Sequence, residues 1–294
     1  MELAWLEDFL ALAEHRNFSR AAEARNITQP AFSRRIQALE AWVGTPLVLR
    51  RPQGVALNAA GDYLREQAAD LTRDLHRMRR GALKAAGRDG AALSIAVTHA
   101  LSFTFFPSWI RALSPLGTLN LISDTMAACE KILLAGDADF LLCHARRDVP
   151  TRLVSASFTS RVVGTDCLVP VTAPYAQHLP GTPEAPVSLL AYSEVSGLGR
   201  ILTATQASFA EAPSLETVFT APLAATLQSM ARQGQGIAWL PRTMVAEDLA
   251  AGRLVDAGGG AFSIEVEIRL FRPLRRLSNA AEACWNAVSA QAAP

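Results

Sequence analysis

The sequence predicts a mostly helical N-terminal domain, a long connecting helix and a C-terminal α/β domain. Three observations lead to this prediction. Apolar residues recur at helical spacing through residues 3–43, an apolar heptad follows over residues 59–86, and from residue 92 onward short β-rich segments alternate with helical ones. The chain has 294 residues, of which 50% are hydrophobic and 19% charged, so it can fill more than one apolar core.

Two helices are predicted before residue 26. The first covers residues 3–15, whose apolar residues fall on one face: Leu6, Phe9, Leu10 and Ala13. The segment Asn17-Phe18-Ser19 offers a cap for a short Ala-rich helix over residues 20–25. A tight turn at Asn26-Ile27 then leads to the next helix.

A third helix is predicted between Thr28, a suitable N-cap, and Gly44, which ends it, with Pro30 in its first turn. Its inward face carries apolar residues at helical spacing: Phe32, Ile36, Leu39 and Val43. Its outward face carries small and polar residues: Pro30, Ser33, Arg34 and Gln37. Reading the major groove of DNA requires such a helix, placed after a short helix and a tight turn.

The outward residues match the hydrogen-bonding patterns of DNA. Arg34 can bond guanine in two places, Gln37 can do the same with adenine, and Ser33 can reach a base edge or a phosphate. Thr28 and Gln29 lie where free backbone N–H groups can hold a phosphate. The third helix is therefore the predicted recognition helix.

A hairpin is predicted after this helix. Its strands are residues 47–51 and 55–58, around Pro52-Gln53-Gly54, and its tip carries Arg50 and Arg51. Such a wing would follow the DNA backbone or enter the minor groove. Together these elements predict a winged helix-turn-helix.

The long helix over residues 59–86 predicts self-association. Its apolar residues follow each other at spacings of four and three: Leu64, Ala68, Leu71, Leu75, Met78 and Ala82. A single helix would expose that seam to water, so we expect it to pair with a second copy. Two copies would present two wings to two half-sites.

Charge and cysteine content narrow the class of protein. Residues 1–90 carry 14 Lys and Arg against 11 Asp and Glu, and the remainder carries 14 against 16, so the basic excess is N-terminal, which permits DNA binding without requiring it. The cysteines lack metal spacing and predict reduced thiols in a cytoplasmic protein: Cys129, Cys143, Cys167 and Cys284. The N-terminus does not resemble a signal peptide, and no apolar run is long enough to predict a membrane span.

The alternation after residue 92 predicts βαβ units and open parallel sheets. Ligands of such sheets bind beyond the carboxyl ends of strands, often at helix N-termini. That rule selects the following candidate effector-binding residues: Thr98, His99, Ser102, His144, Gly197, Leu198, Arg200 and Thr226. His99 is more often a solvated or hydrogen-bonded loop residue, Arg200 can instead pair with another segment, and Cys143 lies in an apolar run typical of an inert thiol.

Motifs in the first 65 residues resemble the N-terminal signature of LysR-type transcriptional regulators. The matching segments are Phe18-Ser19-Arg20-Ala21-Ala22, Thr28-Gln29-Pro30-Ala31-Phe32-Ser33-Arg34-Arg35-Ile36, Leu39-Glu40, Gly44-Thr45-Pro46-Leu47 and Gly61. The chain departs from the signature at Val48, where Phe is usual, at Asn58, where Thr is usual, and at Arg25, where an apolar residue is common. The resemblance implies DNA binding and includes Ser19 among the contacting residues.

The resemblance also implies a C-terminal domain of two Rossmann-like lobes, similar to a periplasmic binding protein, with the effector between them. The run Gly236-Ile237-Ala238-Trp239-Leu240-Pro241 resembles a common segment of the second lobe. The chain should cross between lobes near residues 161–163 and 265–268. The expected divisions are 1–58 for the DNA-binding domain, 59–90 for the linker helix and hinge, 91–160 with 268–294 for lobe one, and 161–267 for lobe two.

Within that family, three segments resemble the hypochlorite-responsive members, which sense oxidant through methionine: Arg16-Asn17-Phe18-Ser19, residues 29–36 and residues 236–241. Oxidation of a thioether turns an apolar group polar, which can act as a switch. Leu198 stands where a sensing Met would be expected, which leaves Met126 and Met230 as candidates, although a buried helical Met is ordinarily core packing.

The sequence therefore predicts a transcription regulator that binds double-stranded DNA as a dimer or tetramer and responds to a small ligand or an oxidant, with RNA polymerase as a possible further partner. Alternatives are a regulator whose C-terminal domain is purely structural, an α/β enzyme fused to a DNA-binding head, and a transporter's solute-binding protein. No HExxH, GxSxG or P-loop motif is present, and the histidines make no metal spacing. We accordingly predict no catalytic residue, cofactor or metal ion.

Overall fold

A computed structural model of the chain describes residues 2–51, 54–85, 93–113, 117–153 and 156–291. The chain divides into two compact units, residues 1–88 and 89–294, and each is described by itself. In the described residues, no helix combines the length and apolar character needed to cross a bilayer.

The N-terminal unit has the element order of a winged helix-turn-helix followed by a long helix. Its elements are α1 (Leu3–His15), α2 (Phe18–Ala24), α3 (Gln29–Val43), β1 (Val48–Arg51), β2 (Gly54–Leu57) and α4 (Ala59–Ala85). The inward residues of α3 pack into one core with α1, α2 and the start of α4. The predicted fold of this part is confirmed.

Asparagine side chains begin two of these helices. The Asn17 carboxamide oxygen accepts hydrogen bonds from the backbone N–H groups of Ser19 and Arg20, at 2.9 and 3.1 Å, and so caps α2. Asn58 caps α4 in the same way through Gly61 and also donates to the carbonyl oxygen of Pro46. The residue that departs from the family signature therefore keeps the capping function.

The apolar seam of α4 changes character along the helix. Leu64 and Ala68 pack against the core of the unit, and Ala68 is buried. Further along, Leu71 is 43% exposed and Met78 is 67% exposed. The described residues of the unit therefore leave apolar surface exposed on the second half of the seam, at Leu71 and Met78.

The C-terminal unit alternates strands and helices. Its elements are β3 (Leu93–Thr98), α5 (His99–Phe103), α6 (Phe106–Ala112), β4 (Leu119–Asp124), α7 (Met126–Ala135), β5 (Phe140–Ala145), β6 (Phe158–Thr172), β7 (Val187–Tyr192), α8 (Gly197–Thr205), β8 (Leu215–Ala221), α9 (Ala224–Arg232), β9 (Ala238–Pro241), α10 (Arg242–Ala250), β10 (Val255–Asp256), β11 (Ile264–Pro273) and α11 (Asn279–Gln291).

The main sheet is mixed, which corrects the expectation of open parallel sheets. The main sheet has the order β10-β6-β11-β5-β3-β4, with β9 also paired to β6, and β7 pairs with β8 in a separate parallel sheet. Strand β3 runs parallel to β4 and β5, but β11 runs antiparallel to both β5 and β6. The long strands β6 and β11 introduce the antiparallel pairs because the chain passes along them in opposite directions.

The cores of this unit form lobes of the predicted kind. One apolar cluster joins β7, α8, α9 and β9 with the second half of β6. Two others cover the opposite faces of the sheet formed by β3 and β5, one under α6 and α11 and one under α7. In β11, Val266 packs in the first cluster and Ile268 in the second, so this strand passes from one core to the other. The predicted α/β fold with lobes of periplasmic-binding-protein type is confirmed.

Candidate functional site

The outer surface of α3 carries the polar residues predicted to read DNA. The turn before it is tight because Asn26 adopts a left-handed conformation, with φ at 54°. The exposed members of the predicted DNA-binding set are Ser19, Thr28, Gln29, Pro30, Arg34 and Gln37, whereas Ser33 is half-buried. The Thr28 side chain makes no hydrogen bond to the helix it precedes, so its hydroxyl is available for an external group.

The neighbouring arginines have a different role. Asp8 on α1 is fully buried, and its carboxylate accepts hydrogen bonds from Arg25 at 2.8 Å and from Arg35 at 3.1 Å. Arg25 also bonds Glu7. These ion pairs join α1 to the turn after α2 and to α3, which explains the arginine at position 25.

The wing is anchored to the end of the first helix. Val55 donates its backbone N–H to the carbonyl oxygen of Arg16 at 2.9 Å, and Arg51 pairs with Gly54 in the hairpin register. A Cβ on Gly54 would lie 2.7 Å from that carbonyl oxygen, and the φ of Gly54 is 127°, so glycine is required there. Residues 52 and 53, and the side chains of Arg50 and Arg51, lie outside the described part of the chain.

In the C-terminal unit, the ends of several strands meet around a cleft of about 40 Å³. Thr98 and His99 follow β3, His144 lies in β5, and Gly197 and Leu198 begin α8. The structure thus brings together five of the predicted effector-binding residues. The same cleft is lined by Met126, which the sequence offered as a candidate oxidant sensor, and by residues outside the predicted effector-binding set: Ala100, Asp124, Thr125, Ser196, Pro222, Leu223 and Ala224.

The missed residues follow the rule that found the others. Asp124 ends β4, and Thr125 caps α7 through a hydrogen bond to the backbone of Ala128. Applying the strand-end rule to β4 would have selected both. Thr226 is half-buried in α9 and lines neither this cleft nor the larger cavity described below, because α9 begins at Ala224 and its first residue faces the cleft instead.

A chain of hydroxyl groups lies beside the cleft. His99 Nδ1 is 3.0 Å from the Ser123 hydroxyl, which donates to the Ser102 hydroxyl at 3.1 Å. Ser102 in turn donates to the carbonyl oxygen of His99. Ser102 therefore supports His99 and is not itself a lining residue of the cleft. The Thr98 hydroxyl is buried and has no hydrogen-bond partner in the described residues, which leaves a donor beside the cleft for a ligand.

His144 belongs to a buried polar cluster at the base of the cleft. Its Nε2 is 3.4 Å from the Asp166 carboxylate, which also accepts from the Thr243 hydroxyl and from the backbone N–H of Cys167. Burial raises the pKa of Asp166, but the hydrogen bonds from His144, Thr243 and Cys167 outweigh it and leave that pKa below its ordinary value. Asp166 is therefore held as a carboxylate between β5 and the start of α10.

Arg200 does not line this cleft. Its guanidinium bonds both oxygens of Glu130 on α7, at 2.9 and 3.0 Å, and Glu130 is fully buried. Arg200 lines instead a second cavity of about 540 Å³, together with Arg146, Arg269 and Phe271. The sequence left open whether Arg200 binds an effector or pairs with another segment of the chain, and the structure shows an ion pair with Glu130.

Met126 lies between these two spaces. It lines both of them, and its side chain packs so closely on Gly197 that a Cβ there would lie 3.0 Å from Met126 Cβ. Leu198 lines the cleft, whereas Met230 packs against the core of the second lobe. Burial raises the pKa of Cys129 to about 12 and also raises the pKa of Cys143, so neither thiol is readily ionised. In the described residues, no group of three His, Cys, Asp or Glu is arranged to hold a metal ion.

The chain matches two family descriptions along its length. Residues 3–62 match the bacterial regulatory helix-turn-helix protein, lysR family, and residues 86–293 match the LysR substrate binding domain. The HTH-type transcriptional regulator YjiE of Escherichia coli K12 is 32% identical over 291 residues, covering 97% of this chain and 93% of that protein.

Solved structures of full-length proteins are similar over almost the whole chain. HypT from Salmonella typhimurium, a hypochlorite-specific LysR-type transcriptional regulator, is 30% identical, with a TM-score of 0.57, and the match covers 99% of this chain and 98% of HypT. DarR from Vibrio fischeri, solved in complex with DNA, is 29% identical, with a TM-score of 0.56 and 98% coverage of both chains.

Proposed function

The chain belongs to the LysR family of DNA-binding transcription regulators, and on that premise we propose that α3 reads an operator while the cleft of the C-terminal unit takes a small effector or oxidant. The observation that carries the proposal is the outer face of α3, where Arg34 and Gln37 are exposed, opposite an inner face that is buried. Its relatives are transcriptional regulators, and we propose that the chain catalyses no reaction.

Base reading falls to the middle of α3. Arg34 and Gln37 are exposed and one helical turn apart, so both can reach base edges in one major groove. Thr28 and Gln29 hold a phosphate at the helix N-terminus, where backbone N–H groups are free. Arg50 and Arg51 are proposed to contact the backbone or the minor groove.

Self-association is proposed through α4. Leu71 and Met78 expose apolar surface on the heptad seam, and a second copy of the helix would cover it. A dimer would present two α3 helices to two half-sites, and a tetramer would present four. We place this assembly in the cytoplasm, where the DNA and RNA polymerase are.

The size of the cleft limits its ligand. A space of about 40 Å³ holds a few water molecules or one small inorganic species, and is too small for an organic molecule in this conformation. Thr98 supplies an unpartnered hydroxyl, and Gly197 supplies a helix N-terminus. The chain resembles a regulator that is specific for hypochlorite. We therefore favour an oxidant or a halide-sized ion as the signal.

Met126 is the proposed target when the signal is an oxidant, since its thioether borders the cleft. Hypochlorite would transfer its oxygen to the thioether sulfur and leave as chloride, and the resulting sulfoxide is polar and larger. Because Met126 packs on Gly197, that change would press on the first turn of α8. The conformational equilibrium of the unit would then shift toward the state that accommodates the sulfoxide.

Fluorescence polarisation of the full-length protein on the DNA upstream of its own gene tests both the DNA binding and the response to oxidant. We expect tight binding that weakens with salt and changes at least tenfold after hypochlorite treatment. Met126→Leu should bind DNA as the unmodified chain does but lose the response, while Met244→Leu keeps it. Specific binding that ignores hypochlorite would reject the oxidant and leave the regulator, and an absence of specific binding to any site selected from genomic DNA would reject the DNA-reading role.

A further inference from the structure

A second cavity in the C-terminal unit is large enough for an organic ligand. It has a volume of about 540 Å³, against about 40 Å³ for the cleft. Its walls come from the segment after β5, the start of β6, the end of β11 and the first turn of α8. Pockets for small molecules usually measure about 300–1,000 Å³. The volume therefore suits a molecule of aromatic or drug-like size.

Much of the lining of this cavity is apolar. It includes Met126, Val149, Leu153, Phe158, Ile201 and Phe271, which contribute hydrocarbon, thioether or ring surface. Three of these residues, Met126, Leu153 and Phe158, are also part of a buried core cluster, so this wall is fixed by packing. A ligand for it needs an apolar body.

Another part of the lining is cationic. It includes Arg146, Arg200 and Arg269, and Arg147 lies at the rim with 85% of its side chain exposed. Among the described residues of the lining, none is Asp or Glu. Each of the four lining arginines pairs with a carboxylate that does not itself line the cavity, namely Glu130, Glu267 or Asp148, and the lining residue His144 contacts Asp166. The cavity therefore presents guanidinium donors rather than carboxylates, which suits an anionic ligand.

These guanidinium groups are held in place and keep unused donors. Arg269 bonds Glu267 and the Ser160 hydroxyl, and Arg200 bonds Glu130 through Nη1. Arg146 bonds Asp148 through Nε alone, at 2.7 Å. A guanidinium has five N–H donors, so each retains donors for a carboxylate. Fixed donors also lower the entropic cost of binding.

We propose that this cavity is a second ligand site, distinct from the cleft, that binds an organic carboxylate with an aromatic or branched apolar body. The carboxylate bonds Arg146 and Arg269, and the body packs on Phe158, Ile201 and Phe271. The site does not depend on the oxidant proposed for the cleft, and its ligand is of another class.

Isothermal titration calorimetry with naphthoate, in the absence of DNA and oxidant, tests the site. We expect one naphthoate per chain and at least tenfold weaker binding of the neutral naphthalenemethanol. Arg146→Gln should weaken the binding of naphthoate about tenfold, since it removes one charged donor group from a partly exposed position. Arg111→Gln, the same change at an exposed position of α6 away from the cavity, should have no effect.

Thr98→Val separates this site from the cleft. It alters only the cleft, so naphthoate binding should stay unchanged. Ile201→Trp adds bulk to the apolar lining of the cavity and should abolish naphthoate binding. Circular dichroism should show that this variant remains folded. Equal affinity for the acid and the alcohol, an unaffected Arg146→Gln variant, or loss of binding in Thr98→Val would each overturn the proposal, whatever the oxidant does to DNA binding.

Discussion

Asp8 in the N-terminal unit and Glu130 in the C-terminal unit are both fully buried carboxylates that form ion pairs with arginines. Asp8 connects elements around one apolar core, whereas Glu130 connects elements that belong to two cores. Asp8 binds Arg25 and Arg35, and all three belong to helices or turns around one apolar core. Glu130 binds Arg200 of α8, whose apolar residues pack in another core. The first cluster therefore stabilises a single body, and the second fixes the position of one core relative to another.

The comparison predicts that loss of Asp8 has the larger effect on stability. In Asp8→Asn the neutral side chain no longer balances Arg25 and Arg35, and we expect a loss of about 2–3 kcal/mol from the N-terminal unit. Urea unfolding followed by circular dichroism measures it. Glu23→Gln, an exposed change on α2, should stay within about 0.5 kcal/mol of the unmodified chain.

Substitution of Arg34 should affect DNA recognition without affecting the stability of the N-terminal unit. In Arg34→Ala we expect a loss of about 1–3 kcal/mol of binding free energy at a specific site, with a relaxed base preference and unchanged unfolding. Arg35→Ala should instead lower the stability and leave the base preference unchanged, because Arg35 is bound to Asp8. Polarisation titrations on a set of single-base variants of the operator measure both. An Arg34→Ala protein with unchanged affinity and preference would show that the register assigned to α3 is wrong.

Loss of Glu130 should loosen the connection between cores at a smaller cost to stability. In Glu130→Gln we expect about 1–2 kcal/mol of destabilisation, since the amide still accepts one hydrogen bond from Arg200. Faster amide hydrogen exchange in α7 and α8, with β3 and β5 unchanged, would identify the effect as local. Exchange rates equal to those of the exposed control Glu247→Gln would contradict a role for the ion pair in holding α8.

Asp166 should give the smallest effect on stability, and that effect should disappear in acid. Its pKa is lowered in the folded chain, so its contribution to stability is present above the ordinary value of 3.8 and is lost as the pH falls through the folded pKa. Asp166→Asn should therefore be less stable than the unmodified chain at neutral pH. The difference in urea midpoint should shrink below about pH 4. A difference that stays constant from pH 7 to pH 3 would show that the hydrogen-bond pattern alone matters.

Local sequence signals predicted the N-terminal unit closely. The caps at Asn17 and Asn58 and the stop at Gly44 are set by neighbouring residues, so the predicted bounds of α1, α3 and α4 differ from the observed ones by a residue or two at most. The Asp8 cluster was not predicted, because its partners are 17 and 27 residues away in the chain.

The C-terminal unit was predicted in class but not in its connections. The local pattern favours a strand only at residues 167–171 of β6, because the first half of β6 mixes polar and apolar residues. The strand nevertheless extends from Phe158, since β11 pairs with it along its length. The Arg200–Glu130 pair and the second cavity depend on such distant pairings, and no local pattern signals them.

Met126, His144 and Gly197 border both the cleft and the larger cavity, so the two spaces share a wall. Any occupant that moves this wall changes the free energy of filling the other space, and thermodynamic linkage makes the effect equal in both directions. If an organic anion alters the affinity of the cleft for its ligand by some factor, that ligand alters the affinity for the anion by the same factor. This shared wall would in this way let the regulator combine a chemical stress and a metabolic state into one output.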